Sequence, residues 1–321
     1  MGFEYKGLTA TEWTRELTGI ANQSVFADLN YLDSFENAYA VNKKLIGIYE
    51  NDKIHLLISF FDSKNRVICP NHYFFQFVWE KENTLSWRRI MVWEFLIEEL
   101  KKRYSKIHFR LPIAVNDIRP FEWAGFKYQL KHTYVKVLDE RPYHQNLKRI
   151  LAKKHDYTFA SQTDFVEVWS KHQADLESFL FSASFISKTV SFFKQVQQQE
   201  LVTTYNIYTE GRLLSSIIVL IDKAQKKAYF PLIGKIDQSQ SGAAAYLYDY
   251  TFSQLKKEGI EEVDLYGANM KTIARFKHKF EPELKSFFEV RYDSRFKGFS
   301  EMKSKLKEVV KRIVRKRSLL W

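Results

Sequence analysis

Val263-Asp-Leu-Tyr-Gly-Ala-Asn-Met-Lys-Thr-Ile-Ala-Arg-Phe-Lys-His-Lys-Phe280 reads as strand, turn and helix in quick succession. Val263 to Tyr266 form a short apolar strand, Gly267 supplies the turn, and Ile273 and Phe276 lie three apart, so one helical turn packs them inward. Asp264, Asn269, Arg275 and Lys277 then crowd the mouth of an otherwise apolar strand end. That is where an α/β sheet usually keeps its ligand.

Upstream of this stretch, Gly242-Ala-Ala-Ala opens a helix to about Glu258 that Gly259 stops as a C-terminal cap. Strands are expected at 201–208, 212–222 and 226–234, and helices at about 143–154, 163–180 and 187–199; a closing strand runs from Phe287 to Tyr292. The first half reads as a helix over 11–22, a loop carrying Phe26, Leu29 and Tyr31, and strands at 38–49, 54–61 and 72–79. A helix from Trp87 to Arg103, a strand at 106–112, a turn or short helix over 117–126 and a strand at 132–138 complete it.

Length and composition agree with two such units. The 321 residues exceed one typical domain, so two domains of about 160 residues are expected. Hydrophobic residues at 45% and aromatics at 16% suffice for two packed cores and exclude a disordered chain. The lone cysteine, Cys69, excludes a disulfide framework or a thiolate metal cluster, fits a reducing cytosol, and reads as a small buried hydrophobe at a strand end. The longest apolar run, Leu213 to Ile221, holds two serines and covers about half a membrane span. Met1-Gly-Phe-Glu-Tyr-Lys6 lacks the apolar core of a signal peptide, so a soluble cytoplasmic protein is expected.

Formal net charge is +12, and much of it sits between Lys303 and Arg317. Met302, Leu306, Val309, Val310 and Ile313 recur there at helical spacing, so residues 301–321 read as a basic amphipathic helix. Anionic lipid, RNA phosphate or water alone would each suit it.

The halves repeat. Subtracting 155 carries the helix 242–258 onto 87–103, the strand 226–234 onto 71–79, Ile273 onto Ile118, Phe276 onto Phe121 and Val290 onto Val135. Agreement over about 65 residues of strand, helix, strand, turn and strand points to two copies of one α/β fold, with sheets side by side and a groove between them.

Strand, strand, glycine-opened helix, strand, Phe-Lys-x-x-Phe and closing strand resemble the acetyltransferase-type (GNAT) fold. The tandem arrangement resembles the FemAB/FemX peptidoglycan aminoacyltransferases and related envelope-polysaccharide acyltransferases. The likeness rests on Asp117-Ile-Arg-Pro-Phe-Glu-Trp-Ala-Gly-Phe126 with Tyr134-Val-Lys-Val-Leu138, Leu147-Lys-Arg-Ile-Leu-Ala-Lys153, Gly242-Ala-Ala-Ala, Asp264-Leu-Tyr-Gly267 and Phe276-Lys-His-Lys-Phe280. Glu281-Pro282 stands where the family commonly has glycine, and no helical-arm insertion is evident. The resemblance implies two tandem GNAT-like domains, 1–139 and 140–300, followed by the tail. It also implies transfer of an acyl or aminoacyl group to an amine of an envelope precursor, a peptidoglycan or exopolysaccharide intermediate that is either a small molecule or nucleotide-linked. The donor would be aminoacyl-tRNA or acyl-CoA, with no bound cofactor. Two other readings stay open: an acyl-CoA-dependent N-acetyltransferase, and an inert tandem domain that binds RNA or membrane through its tail.

No Gly-x-Ser-x-Gly, Cys–His pairing or His-Glu-x-x-His spacing supports a nucleophilic or metal hydrolase. By the resemblance Lys277 lies at the acyl-transfer centre, where its charge would stabilise an oxyanion or hold a donor phosphate. Asp264 and Tyr266 alternate with apolar neighbours and would orient the amine, unless Asp264 only caps the turn or pairs with Arg275. Gly242 offers helix N–H groups to an anion, although Ser239-Gln-Ser-Gly242 is a poor match to a CoA loop. Asn269 and Arg275 flank the site. Lys148 and Arg149 would take a pyrophosphate or a tRNA stem, or form a solvated helix face.

Overall fold

The computed structural model describes residues 2–20, 23–69, 75–81, 85–138, 142–161, 165–234 and 242–296. The first half contains β1 (Glu4–Gly7), α1 (Ala10–Thr18), α2 (Leu29–Tyr39), β2 (Asn42–Glu50), β3 (Lys53–Ser63), β4 (Arg66–Ile68) and β5 (Val78–Glu80). It continues through α3 (Ser86–Arg103), β6 (Lys106–Arg110), α4 (Arg119–Trp123) and β7 (Lys127–Val137). The second half runs α5 (Gln145–Leu151), β8 (Tyr157–Ser161), α6 (Phe165–Ser178), α7 (Ala183–Gln198), β9 (Val202–Thr209), β10 (Arg212–Asp222) and β11 (Lys227–Ile233). It ends with α8 (Ala243–Lys257), β12 (Glu262–Asp264), α9 (Lys271–Lys277) and β13 (Glu283–Asp293).

Local chemistry sets several of these boundaries. Thr9 and Glu12 form a reciprocal capping box at the start of α1. Asp28 caps α2 by accepting from the Asn30 and Tyr31 amides at 2.8 and 3.1 Å. α2 occupies residues expected as loop and strand, because Tyr31, Leu32, Phe35 and Tyr39 share one buried face. The strand expected at 38–49 therefore begins only at Asn42. Gly259, at φ +82°, ends the turn after α8 as expected, with the Ile260 amide donating to Leu255 O at 3.0 Å. β1 and β8 had no clear sequence signal. Of the strand expected at 72–79, the described part is regular only in β5.

The strands form a single mixed sheet in the order β1-β2-β3-β4-β6-β13-β7-β12-β11-β10-β9-β8, with β5 also on β3. Two separate sheets side by side are therefore not what the chain makes. The closing strands are exchanged: β13 pairs antiparallel with β6 of the first half, β7 pairs antiparallel with β12 of the second, and β7 and β13 pair with each other. The centre of the sheet is thus a symmetric interlock of both copies. The boundary expected at 139–140 and the basic tail 301–321 both lie outside the described residues.

Three cores result. One shared core joins both halves on one face, under α1, α2, α6 and α7, and includes the stacked rings of Phe35, Tyr39 and Phe61. On the other face, α3 and α4 cover the first half and α5 and α8 the second. Among the described residues, no helix is long and apolar enough to cross a membrane.

Candidate active site at the end of strand β12

β12 stops early, and the site follows from that. It pairs with β11 only over Lys227–Tyr229 and with β7 only over Val135–Val137; beyond Asp264 the chain stays on β7, with the Leu265 amide donating to Tyr134 O at 2.8 Å, and leaves β11. β11 is also bulged: Ile218 faces Leu232 and Leu220 faces Tyr229, leaving Phe230 and Pro231 opposite Val219 alone. Proline suits a bulge because it has no N–H to give to a ladder, and the pairing of β11 with β12 ends at Tyr229, where the bulge begins. A cavity of about 750 Å³ opens in the gap, lined by residues of both halves from Arg110 to Glu289. Such a volume suits a small-molecule ligand. Its walls come from cores on both faces of the sheet, with Leu232, Tyr266 and Phe287 on one and Phe230, Tyr248 and Phe276 on the other.

Lys277, at the last turn of α9, borders this cavity while only 4% exposed. Its Nζ donates to Leu265 O, and to Tyr266 O at 3.0 Å. Those carbonyls converge because Tyr266 and Gly267 both take left-handed φ values, +53° and +63°. A Cβ at residue 267 would stand 2.9 Å from Nζ, so the turn needs glycine for conformation and for space. Burial lowers the Lys277 pKa to about 7, opposed by the Asp264 carboxylate. Near neutrality the amine therefore exists in both protonation states. When neutral it gives its two hydrogens to the two carbonyls and keeps a lone pair.

Asp264 is buried and positions this turn. Its Oδ1 accepts from the Thr133 hydroxyl of β7 and from the Tyr266 amide at 2.9 Å. Burial raises its pKa, opposed by Thr133, Lys227, the Tyr266 amide and Lys277. Asn269 fastens the other end: its amide accepts from His132 N at 2.9 Å and donates to His132 O at 2.8 Å. Tyr266 is stacked on Phe75 at 5.8 Å, and burial pushes its hydroxyl pKa far up. On the opposite wall Arg110 and Glu289 face each other across β6 and β13, with Nη2 to Oε1 at 2.8 Å. Burial alone would raise the Glu289 pKa, but His108 and Arg110 hold it well below the usual carboxylate range.

Exchanged closing strands and a cavity at a truncated parallel strand define the architecture well enough to compare with solved structures. FemX superposes with a TM-score of 0.61 at 10% identity, over 89% of this chain and 96% of that one. A tandem GNAT protein from the clavulanic acid biosynthesis pathway gives 0.57 at 12% identity, over 91% and 99%. The fold is a tandem GNAT fold. The C-terminal domain of a putative lysylphosphatidylglycerol synthetase from Agrobacterium fabrum also superposes, with a TM-score of 0.54 at 13% identity over 92% and 96%. No protein-family model and no curated protein matches the sequence.

The two GNAT copies use the repeated motif differently. In the first, Ile118 and Phe121 are buried and Glu122 is exposed. In the second, Ile273 and Phe276, expected to pack inward like them, are partly buried and wall the cavity, while Lys277 is buried. The structure brings Lys277, Tyr266 and Asn269 to the cavity and sets Asp264 behind them, but other residues singled out from the sequence lie elsewhere. Arg275 is exposed and outside the lining, and Asp264 bonds to Thr133 rather than to it. Lys148 and Arg149 are exposed on α5; the Ile150 carbonyl near its end and the Lys153 carbonyl just beyond it accept from the Tyr246 hydroxyl of α8. Gly242 begins α8 against Ile150, where a Cβ would meet its nearest neighbour at an ordinary 3.7 Å. Cys69 follows β4, and burial pushes its thiol pKa up.

Sequence reasoning missed Thr133, Arg110 and Glu289, because each acts only through a partner that strand exchange brings beside it. It also missed the bulge, although Pro231 inside a strand was a legible signal of one.

Proposed function

We propose that this chain is an acyltransferase that forms an amide, passing an acyl or aminoacyl group to an amine of an envelope precursor. The observation that carries this is Lys277: a buried amine, fixed by two carbonyls, on the wall of a cavity at the carboxyl end of a parallel strand. In the step proposed, the acceptor nitrogen attacks the acyl carbonyl and the carbon–sulfur or carbon–oxygen bond to the donor breaks. The nitrogen's surplus proton passes to the neutral Lys277 Nζ and then to the departing thiolate or alkoxide. Groups whose pKa lies near the working pH are efficient in such transfers, typically contributing about 10² to 10⁴ in rate.

The likeness to FemX supports the class of reaction, and the sequence resemblance to envelope aminoacyltransferases supports the acceptor. The donor is proposed as acyl-CoA or aminoacyl-tRNA, with the enzyme in the cytoplasm and residues 303–317 meeting anionic membrane. The test is amide formation by wild type and Lys277→Met, offered both donors in turn. Loss of about 10² in kcat/KM with unchanged folding is expected; wild-type turnover in the variant would refute the assignment.

A further inference from the structure

We propose that the cavity past β12 holds the hydrocarbon chain of a long-chain acyl donor, so that the group transferred is fatty acyl rather than acetyl or aminoacyl. The inference rests on the transferase reading above and narrows its donor. The first observation is the unequal fate of the repeated motif. Ile118 and Phe121 are closed into a core, whereas Ile273 and Phe276 border open space; apolar surface left uncovered in this way favours an apolar ligand. Facing them, the bulged strand contributes Phe230, Pro231, Leu232 and Ile233 in an unbroken run. At the mouth stand Phe179 and Met270, 45% and 46% exposed.

The polar groups are the wrong set for an amino acid. A transferred aminoacyl group carries an ammonium, which needs a carboxylate in reach once it leaves water. Among the described residues the lining holds two, Asp175 and Glu289. Glu289 is already bound by Arg110 at 2.8 Å and Arg291 at 3.1 Å, and Asp175 on α6 also has a partner of its own.

The test is displacement of cis-parinaric acid, a fatty acid that fluoresces in apolar surroundings, from the full chain by acetyl-, octanoyl- and palmitoyl-CoA. Affinity should rise about fourfold for each methylene the cavity encloses. Ile233→Phe, which fills the inner wall, should weaken palmitoyl-CoA tenfold or more and octanoyl-CoA much less; Phe179→Glu, at the exposed rim where folding is not at risk, should weaken both. Absence of saturable probe binding, equal affinity for the three thioesters, or indifference to Ile233→Phe would overturn the inference. None of those results touches the transferase reading, which fails separately if Lys277→Met turns over donor as fast as wild type.

Discussion

Replacing Lys277 by methionine isolates what burial does to this amine. Methionine nearly matches the stem in length, so packing changes little, but it leaves Leu265 O and Tyr266 O without their donor, at roughly 1 to 3 kcal/mol each. That cost does not vary with pH, whereas the cost of holding a buried lysine does. The unfolded lysine keeps its proton up to about pH 10.4, and the folded one releases it near 7. Between these limits the unfolded chain binds more protons, so wild-type stability rises with pH. Integrating from pH 7 to 9 gives about 2 kcal/mol gained by wild type relative to Lys277→Met. Urea unfolding of both proteins at pH 7, 8 and 9 measures it. Parallel stability curves would refute the lowered pKa, and with it the lysine's part in proton transfer.

Three further outcomes follow from the same geometry. Gly267→Ala forces a left-handed alanine and a Cβ 2.9 Å from Lys277 Nζ; stability should fall by about 1 to 2 kcal/mol, and turnover tenfold or more as Nζ is displaced. Glu281 sits at φ +52°, a left-handed conformation that glycine takes without strain, so Glu281→Gly should raise stability by about 0.5 to 1 kcal/mol, read as a shift in urea midpoint. Because β7 and β13 are exchanged, residues 1–139 and 140–321 expressed together should co-purify as one folded complex, and either alone should be unfolded by circular dichroism.

Val263–Phe280 carried most of the architecture in its sequence because glycine and apolar spacing act locally. Gly267 announces a turn, Ile273 and Phe276 announce a helix face, and the echo in Ile118 and Phe121 announces a second copy. What that echo could not show is that one copy closes and the other stays open, since this depends on how far β12 runs beside β11. Strand exchange was hidden for a related reason: an antiparallel partner in one's own half or in the other half demands the same alternation of side chains. Lys277 was visible as a motif lysine, but its burial was not. Lysine is seldom buried, and only the convergence of two left-handed residues makes the carbonyl pair that receives it.

The proposed chemistry requires Lys277 to be the proton acceptor at the acyl-transfer centre. The direct measurement is the ratio of kcat/KM for wild type over Lys277→Met across pH 5.5 to 9, with one donor and one amine so that the acceptor's own titration cancels. The expected ratio is about 10² or more, climbing with pH and levelling off above about 7. A ratio that falls above that point would mean the lysine acts as a cation, and a ratio near one at every pH would mean it takes no part.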